Sequence, residues 1–390
     1  MKAIILAAGK GTRMRPLTYL RPKPMISLVD TPVLETIIKH LVAGGVEEIV
    51  INTAYMGDSL QSYFGDGRAL GANIAYSFEG YIEDGKMHGE ALGSAGGIKR
   101  IQEFSGFFDE PFLVLCGDAY IDFDISAFAA FHRAKGAMAS LLTQEVPIEE
   151  VTSYGVVATD EQGQVVQFQE KPLVEEAVSN CVNTGIYLFE PEVIDHIPIN
   201  QIYDIGGELF PYMAANNLPL YATNQDFTWL DIGQLPDFFT CQATLLNGEV
   251  PGFELPGKEV SPGVRIGSNV RINLDKVSLG AGVYIANSCH IEDGVTIEGP
   301  CIIGANCHVG KDAQLSNVFI GQYTRIPRGT ELADLIIDSP YVIDTSGNAC
   351  TLAEHGVGIG DARAANEQSV VTIPALANVP LEDTRNSLQL

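Results

Sequence analysis

The sequence predicts an α/β domain on a mainly parallel, mixed sheet, followed by a narrow triangular solenoid of parallel strands. Three observations predict it. Short apolar runs alternate with amphipathic helical stretches through residues 1–240, an aliphatic residue recurs at every sixth position from Leu279 to Leu315, and a Pro/Gly-punctuated stretch, Val250 to Gly263, separates the two patterns.

Lys2 to Ala7 reads as the first strand, with the loop Gly9-Lys10-Gly11-Thr12-Arg13 behind it. Pro32 to Ala43 carries Val33, Ile37, Ile38, Leu41 and Val42 at helical spacing and stops at Gly44-Gly45. Glu48 to Thr53 gives a second strand and Phe112 to Cys116 a third, which ends at Gly117-Asp118. Ser153 to Ala158, Val165 to Glu170 and Asn183 to Phe189 supply further strands, so residues 1–240 are expected to form one domain. Residues 241–263 then read as a linker, 264–360 as the solenoid, and 361–390 as a terminal extension whose apolar stretches are broken by Pro374 and Pro380.

Within the solenoid, Leu279, Ile285, Ile291, Ile297, Ile303, Val309 and Leu315 keep a strict six-residue step. Two places before them stand Val277, Val283, Cys289, Val295, Cys301, Cys307 and Ala313, all small or β-branched, as suits a coil in which three flat faces meet. Cys289, Cys301 and Cys307 are therefore expected as inward-packed hydrophobes, not as ligands or nucleophiles. This pattern resembles the hexapeptide left-handed β-helix family.

Composition narrows the function classes. With 390 residues, 46% hydrophobic and 18% charged, the chain is neither disordered nor fibrous. Its longest apolar runs fall short of the roughly 20 residues of a membrane helix, and Met1-Lys2-Ala3 opens into a strand pattern instead of a signal peptide, so a cytoplasmic protein is expected. Seven cysteines without a CxxC pair point to free thiols and argue against a zinc ribbon. A net charge of −26 opposes binding to nucleic acid or to an anionic membrane. Residues 1–29 nevertheless hold Lys2, Lys10, Arg13, Arg15, Arg21 and Lys23 with no acid, six of the 23 basic residues of the whole chain. One small anion site on an acidic body fits this distribution.

That site falls on the loop after the first strand, where glycines let backbone N–H groups approach a phosphate. The Walker pattern is absent, and the dinucleotide fingerprint lacks its third glycine. What remains is Arg13 close behind the loop and Lys23 held between Pro22 and Pro24. Asp118 and Asp231, taken alone, read as turn or cap residues. The seven histidines, including His290 and His308, show no ligand spacing.

Leu6-Ala7-Ala8-Gly9-Lys10-Gly11-Thr12-Arg13-Met14, Pro22-Lys23-Pro24, Leu115-Cys116-Gly117-Asp118, Glu170-Lys171-Pro172, Asn183-Thr184-Gly185-Ile186-Tyr187 and Trp229-Leu230-Asp231-Ile232-Gly233 follow one another in that order. Together they resemble the sugar-1-phosphate nucleotidyltransferases, the NDP-sugar pyrophosphorylase family, several branches of which append a hexapeptide repeat. The resemblance covers about residues 1–240. It implies a Rossmann-like nucleotidyltransferase domain of the glycosyltransferase A-like type, continued by a left-handed parallel β-helix. It also implies roles. Asp118 and Asp231 correspond to the family's Mg2+-binding pair, and carboxylates are the oxygen ligands Mg2+ prefers. Arg13 matches the residue that grips the triphosphate and the leaving pyrophosphate, Lys23 the one that reaches the nucleotide phosphates, and Lys171 the one that binds the sugar phosphate. Leu6, Ala8, Gly9, Gly11 and Thr12, with Glu90 and Gly93, match nucleotide-contacting positions. Gly155, Glu170, Asn183 and Gly185 match sugar-contacting ones.

The implied reaction is attack by the sugar-phosphate oxygen on the α-phosphorus of a nucleoside triphosphate, with pyrophosphate leaving in line and no general base required. Ile74 to Gly80 leading to Leu92-Gly93-Ser94-Ala95-Gly96-Gly97, Gln102-Glu103-Phe104, and Asp204-Ile205-Gly206-Gly207-Glu208-Leu209-Phe210-Pro211 resemble the cyanobacterial-type UDP-glucose pyrophosphorylases. UTP with glucose-1-phosphate therefore ranks ahead of GTP with mannose-1-phosphate. A non-catalytic homologue is disfavoured by the intact Arg13, Lys23, Asp118, Lys171 and Asp231, and a hexapeptide acyltransferase by the shortness of the repeat. The solenoid is expected to pair with a copy of itself through residues 264–337, giving a homo-oligomer. Truncation after Asp237 is expected to leave measurable transfer.

Overall fold

The computed structural model describes residues 1–352 and 360–361. The expected extension over 361–390 thus falls, from residue 362 on, outside the described residues. Contacts divide the chain into two units: Met1–Gly11, Arg21–Ile26 and Val33–Leu230 form one, and Thr12–Leu20, Ser27–Pro32 and the chain from Asp231 onward form the other.

The first unit is an α/β domain on a nine-stranded sheet. In chain order its main elements are β1 (Lys2–Ala7), α1 (Val33–Ala43), β2 (Glu48–Thr53), α2 (Gly57–Phe64), β3 (Asn73–Phe78), α3 (Ser94–Ser105), β4 (Phe112–Cys116), α4 (Ile125–Lys135), β5 (Ala139–Glu145), β6 (Gly155–Thr159), β7 (Val165–Glu170), β8 (Cys181–Phe189) and β9 (Leu220–Asn224). The sheet runs β7-β6-β8-β4-β1-β2-β3, with β5 pairing β8 and β9. β4, β1, β2 and β3 are mutually parallel, whereas β8 runs antiparallel to β4, β5 and β6.

Helices cover both faces of β4, β1 and β2, which is why these strands carry apolar runs, whereas the edge strand β3 alternates exposed and half-buried positions. Ala3 and Ile5 join one apolar layer with Ile37, Ile38 and Leu41 of α1, while Ile4 joins the other with Ile98 and Ile101 of α3. The predicted helix from Pro32 begins at Val33, because Thr31–Pro32 pairs as a short strand with Ser27–Leu28. It closes as expected at Gly44-Gly45, with Gly45 in the left-handed region donating its N–H to the Val42 carbonyl. Because β1, β2 and β4 are in register, with Leu6 opposite both Asn52 and Cys116, the loops that follow them leave the sheet along one edge.

The second unit is strand-rich. Its strands pair in parallel with partners 17 to 19 residues further on, as in Val264 with Val283, Val283 with Cys301, and Val318 with Leu335. The six-residue columns are inside: Ile285, Ile291, Ile297, Ile303, Val309 and Leu315, with Val283, Cys289, Val295, Cys301, Cys307 and Ala313, form one buried cluster, against which Val277 and Leu279 are partly buried. All seven cysteines are free thiols, and the three of the repeat are core residues as expected. Two antiparallel strands, Tyr341–Asp344 and Ala349–Thr351, close the end of this sheet.

Side chains of the C-terminal half hold the two N-terminal segments of this unit. Gln242 on the helix Leu235–Leu246 accepts from the Val29 N–H at 2.7 Å and donates to the Ser27 carbonyl at 2.9 Å. The Tyr284 hydroxyl donates to Asp30 Oδ2 at 2.7 Å, and the Tyr341 ring meets that of Tyr19 at 6.2 Å. Among the described residues, no helix is long and apolar enough to cross a membrane.

Candidate active site

Glycine at position 117 lets the turn after β4 press against the end of β1. The Gly117 N–H donates to the Leu6 carbonyl at 3.0 Å, and a Cβ there would stand 3.0 Å from that same oxygen and 3.5 Å from Pro24 Cγ. Lys23 reaches this turn from the single 3-10 turn Lys23–Met25, whose entry is fixed by Pro22 and whose second position is Pro24. Its ammonium donates to Asp118 Oδ2 at 2.7 Å, although Lys23 is only 8% exposed. Leu6 and Ala8 are half-buried beside it, and Gly9 is exposed with open space on its side-chain side, so an anion can approach the backbone there. Gly11 follows in the left-handed region.

Gly93 precedes α3 with φ +79°, and a Cβ there would collide with the Tyr203 backbone. The Leu92 carbonyl accepts from the Tyr203 N–H at 2.9 Å. Ser94 Oγ donates to Asp204 Oδ2 and accepts from the Ile205 N–H, both at 2.8 Å. Asp204 Oδ1 accepts from the N–H groups of Gly206 and Gly207, so the Asp204-Ile205-Gly206-Gly207 segment buttresses the Gly93 loop. Glu90 is exposed, with its N–H donating to the Glu79 carbonyl at 3.0 Å.

On the other side of β4, the antiparallel register sets Ile186 opposite Leu115 and brings Gly185 over Cys116, where a Cβ would lie 2.7 Å from Sγ. Asn183 is oriented at both ends of its amide: Oδ1 accepts from the Gly185 N–H at 3.1 Å and Nδ2 donates to the Tyr187 hydroxyl at 2.9 Å. Burial pushes the Tyr187 phenol well up, which keeps it a neutral hydroxyl. Glu170 ends β7 opposite Gly155, and a Cβ at Gly155 or Gly206 would come within 3.1 or 2.8 Å of its Oε2. Lys171 holds a positive φ of 47°, unusual for a side chain of its size, and its N–H donates to the Tyr154 carbonyl at 3.1 Å. Its ammonium sits 3.3 Å from Glu170 Oε1, an exposed and screened pair. The Tyr154 ring packs edge-on against Trp229 at 5.3 Å.

The first unit therefore gathers Leu6, Ala8, Gly9, Lys23, Asp118 and Gly185 around the ends of β1 and β4 and the middle of β8, and joins Gly155, Glu170 and Lys171 at the β6–β7 end. Thr12, Arg13 and Asp231 belong to the second unit. Arg13 is exposed on the turn Thr12–Met14, anchored by buried Met14 and Leu17. Asp231 ends the strand Trp229–Asp231, which pairs with Ala119–Ile121. Glycine at 233 leaves its carboxylate room, since a Cβ there would lie 2.7 Å from Oδ2. Among the described residues, no group of three or more His, Cys, Asp or Glu is arranged to hold a metal.

Sequence reasoning gave Ser94 and Asp204 no positioning role, and Asn52 and Glu79, though inside the stretches it singled out, no site role. Glu79 is 1% exposed, and its Oε1 accepts from Asn52 Nδ2 at 2.6 Å. The available signal was a pair of polar residues, Asn52-Thr53, buried at the end of β2 after the apolar run Ile49 to Ile51.

A family model described as nucleotidyl transferase matches residues 2–248. A UTP–glucose-1-phosphate uridylyltransferase of Synechocystis sp. is 50% identical over 349 residues, 90% of each chain. A mannose-1-phosphate guanylyltransferase of Mycobacterium tuberculosis is 31% identical over 310 residues, 77% of this chain and 82% of that one. Among solved structures, a putative glucose-1-phosphate thymidylyltransferase from Bacillus anthracis aligns with a TM-score of 0.52 over 66% of this chain and 97% of its own, and at 22% identity the likeness is one of fold.

Proposed function

The chain belongs to the nucleotidyl transferase family, and from that premise we propose that it joins UTP and glucose-1-phosphate to form UDP-glucose, releasing pyrophosphate. One observation carries the choice of substrates: identity to a uridylyltransferase of that specificity reaches 50% across nine-tenths of both chains, against 31% for a mannose-1-phosphate guanylyltransferase. GTP with mannose-1-phosphate is the second reading.

In this reaction a phosphate oxygen of the sugar phosphate attacks the α-phosphorus of UTP, the new P–O bond forms, and the bond to the β-phosphate oxygen breaks with its electron pair leaving on pyrophosphate. A phosphate dianion is already nucleophilic, so the protein's work is alignment and charge neutralisation. Gly9 and Gly11 open the backbone to the triphosphate, with Leu6, Ala8, Thr12, Glu90 and Gly93 along the nucleotide. Arg13 grips the triphosphate and the departing pyrophosphate, and Lys23 reaches the nucleotide phosphates. Lys171 neutralises the sugar phosphate, while Gly155, Glu170, Asn183 and Gly185 contact the sugar.

Asp118 and Asp231 are the proposed holders of Mg2+. Their residue type fits: both offer hard anionic oxygens, Asp118 already counters one cation in Lys23, and Gly233 leaves space beside Asp231. When bound, the ion supplies charge neutralisation between two anionic substrates. For the repeat region, parallel pairing at 17 to 19 residues with three six-residue steps per turn supports a left-handed β-helix, and we assign it an assembly role in a homo-oligomer. The substrates and the free thiols suit the cytoplasm.

Pyrophosphate release measured for UTP, GTP, ATP and dTTP against glucose-1-phosphate and mannose-1-phosphate tests the reading. UTP with glucose-1-phosphate is expected to give the highest kcat/KM. A higher value for GTP with mannose-1-phosphate selects the second reading, and no release with any pair removes both.

A further inference from the structure

Three hydrogen bonds run in series through the first unit, between two loops that the reaction needs at a fixed separation. The Ala7 N–H, at the mouth of the glycine loop, donates to Asn52 Oδ1 at 2.8 Å. Asn52 Nδ2 donates to Glu79 Oε1 at 2.6 Å. The Leu92 N–H, one residue before Gly93, donates to Glu79 Oε2 at 2.8 Å. Asn52 and Glu79 are 2% and 1% exposed, so the centre of this relay is sealed from water.

Backbone register supports the relay from below. Asn52 lies opposite Leu6 on one side and Ser77 on the other, and the Glu79 N–H donates to the Thr53 carbonyl at 2.7 Å. Helix α3 adds a lid made possible by glycine, since a Cβ at Gly97 would collide with Glu79 Oε1 and Asn52 Nδ2. Burial pushes the Glu79 carboxyl up, a cost that the Leu92 N–H, Asn52 and the charge of Arg100 partly offset. An apolar pair would avoid that desolvation cost but leave the Ala7 and Leu92 N–H groups without these acceptors, so the polar pair both satisfies the two amides and fixes their separation.

We propose that Asn52 and Glu79 are positioning residues of the nucleotide site, a brace that sets the glycine loop and the Leu92-Gly93 loop at the distance a nucleoside triphosphate requires. The inference rests on the reading of both loops as nucleotide-binding. Neither side chain touches substrate in this role, because both are buried away from the surface the substrate meets.

The chemistry of the relay supplies its own test. Asn52→Asp sets two carboxylates against each other across the central bond, and Glu79→Gln puts an amide donor against either the Asn52 amide or the Leu92 N–H, so each single change breaks the relay. The double variant Asn52→Asp/Glu79→Gln restores it with the central donor reversed. The carboxylate then at position 52 accepts from the Ala7 N–H and from the amide nitrogen at position 79, while the amide oxygen at position 79 accepts from the Leu92 N–H. Each single variant is expected to raise KM for the preferred triphosphate at least about tenfold, with KM for the sugar phosphate within about twofold of wild type. The double variant should return to within about threefold of wild type. Amide hydrogen exchange at residues 7–11 and 91–94, which needs no substrate, should quicken at both loops in each single variant and slow again in the double.

Melting temperatures recorded for all four proteins separate positioning from global loss of structure. A double variant that melts like wild type yet stays as impaired as the singles overturns the brace, as does faster exchange at one loop only. Equal rises in both KM values also reject it. If wild type transfers no nucleotide while the exchange pattern holds, the reaction assignment fails and the mechanical link between the loops stands.

Discussion

Lys23 carries its charge to a position where little of the residue meets water, and Asp118 at 2.7 Å is what makes that tolerable. The pair also explains why Asp118 reads ambiguously by itself. An Asp after a buried strand has the look of a turn residue until a lysine from ninety-five positions away is seen to donate to it. The side chain of Asp118 remains about a third exposed, so its carboxylate is accessible to an incoming cation that keeps its waters. We predict that Asp118→Asn and Asp231→Asn each fold and each lower kcat/KM at least about 10²-fold, through lost alignment and charge neutralisation. Steady-state rates across a Mg2+ titration check this, and wild-type turnover in both variants would withdraw the metal assignment. Glu79 shows the opposite limit of legibility. Nothing local distinguishes it from a solvated strand end, because its meaning comes from Asn52, Ala7 and Leu92, which are distant in sequence and meet only in the fold.

Elements were legible where local pattern and final environment agree. Val165–Glu170 has the expected bounds, and the six-residue step of the repeat was readable because every buried column repeats the same contact with the next coil. The strand predicted from Ser153 begins at Gly155, since Ile148–Ser153 is wound into a 3-10 helix. β5 was not foreseen: Ala139 to Thr143 is buried on both faces, lacks alternation, and is defined by pairing with β8 and β9 far along the chain. The joint between α4, β5 and the end of β8 is equally non-local. His132 on α4 shares a 2.8 Å hydrogen bond with Ser140 Oγ and lies 3.3 Å from Glu190 Oε1. Burial pulls the His132 imidazole down to about 4, with the neighbouring charge of Arg133 adding to the shift. Between that value and the ordinary 6.5 the unfolded chain binds the extra proton, so stability rises with pH across this window. The contribution is complete above 6.5 and lost as pH falls through 4, up to about 3 kcal/mol for this buried ring. Melting temperatures between pH 7 and pH 4 should fall less steeply in His132→Gln than in wild type, and parallel curves would reject the joint as a titrating element.

The whole molecule departs most from what a reading along the chain suggests. The Pro/Gly-punctuated stretch from Val250 to Gly263 looks like a seam, and all six motifs lie before it. Yet the segments Thr12–Leu20 and Ser27–Pro32 group with the C-terminal half. The first carries Arg13, and the second begins four residues after Lys23. Gln242 replaces the missing partners of the Ser27 and Val29 backbone, Tyr284 holds Asp30, and Tyr341 covers Tyr19, on which the Arg15 guanidinium is stacked at 4.9 Å. Cutting after Asp237 removes Gln242, Tyr284 and Tyr341 at once. The backbone groups of Ser27 and Val29 then lose their partners, each at a cost of about 1–3 kcal/mol. The measurable transfer expected from sequence after such a truncation is replaced by a sharper prediction: pyrophosphate release below about a hundredth of full length, because Arg13 loses its support even where the sheet stays folded. Tyr284→Phe, which removes one hydrogen bond and leaves the repeat intact, should cost about 0.5–1.5 kcal/mol of stability and retain most activity. Light scattering of both proteins separates this support from assembly. If the truncated chain keeps a tenth or more of the transfer rate while its oligomer dissociates, the repeat serves assembly and the N-terminal segments stand without it.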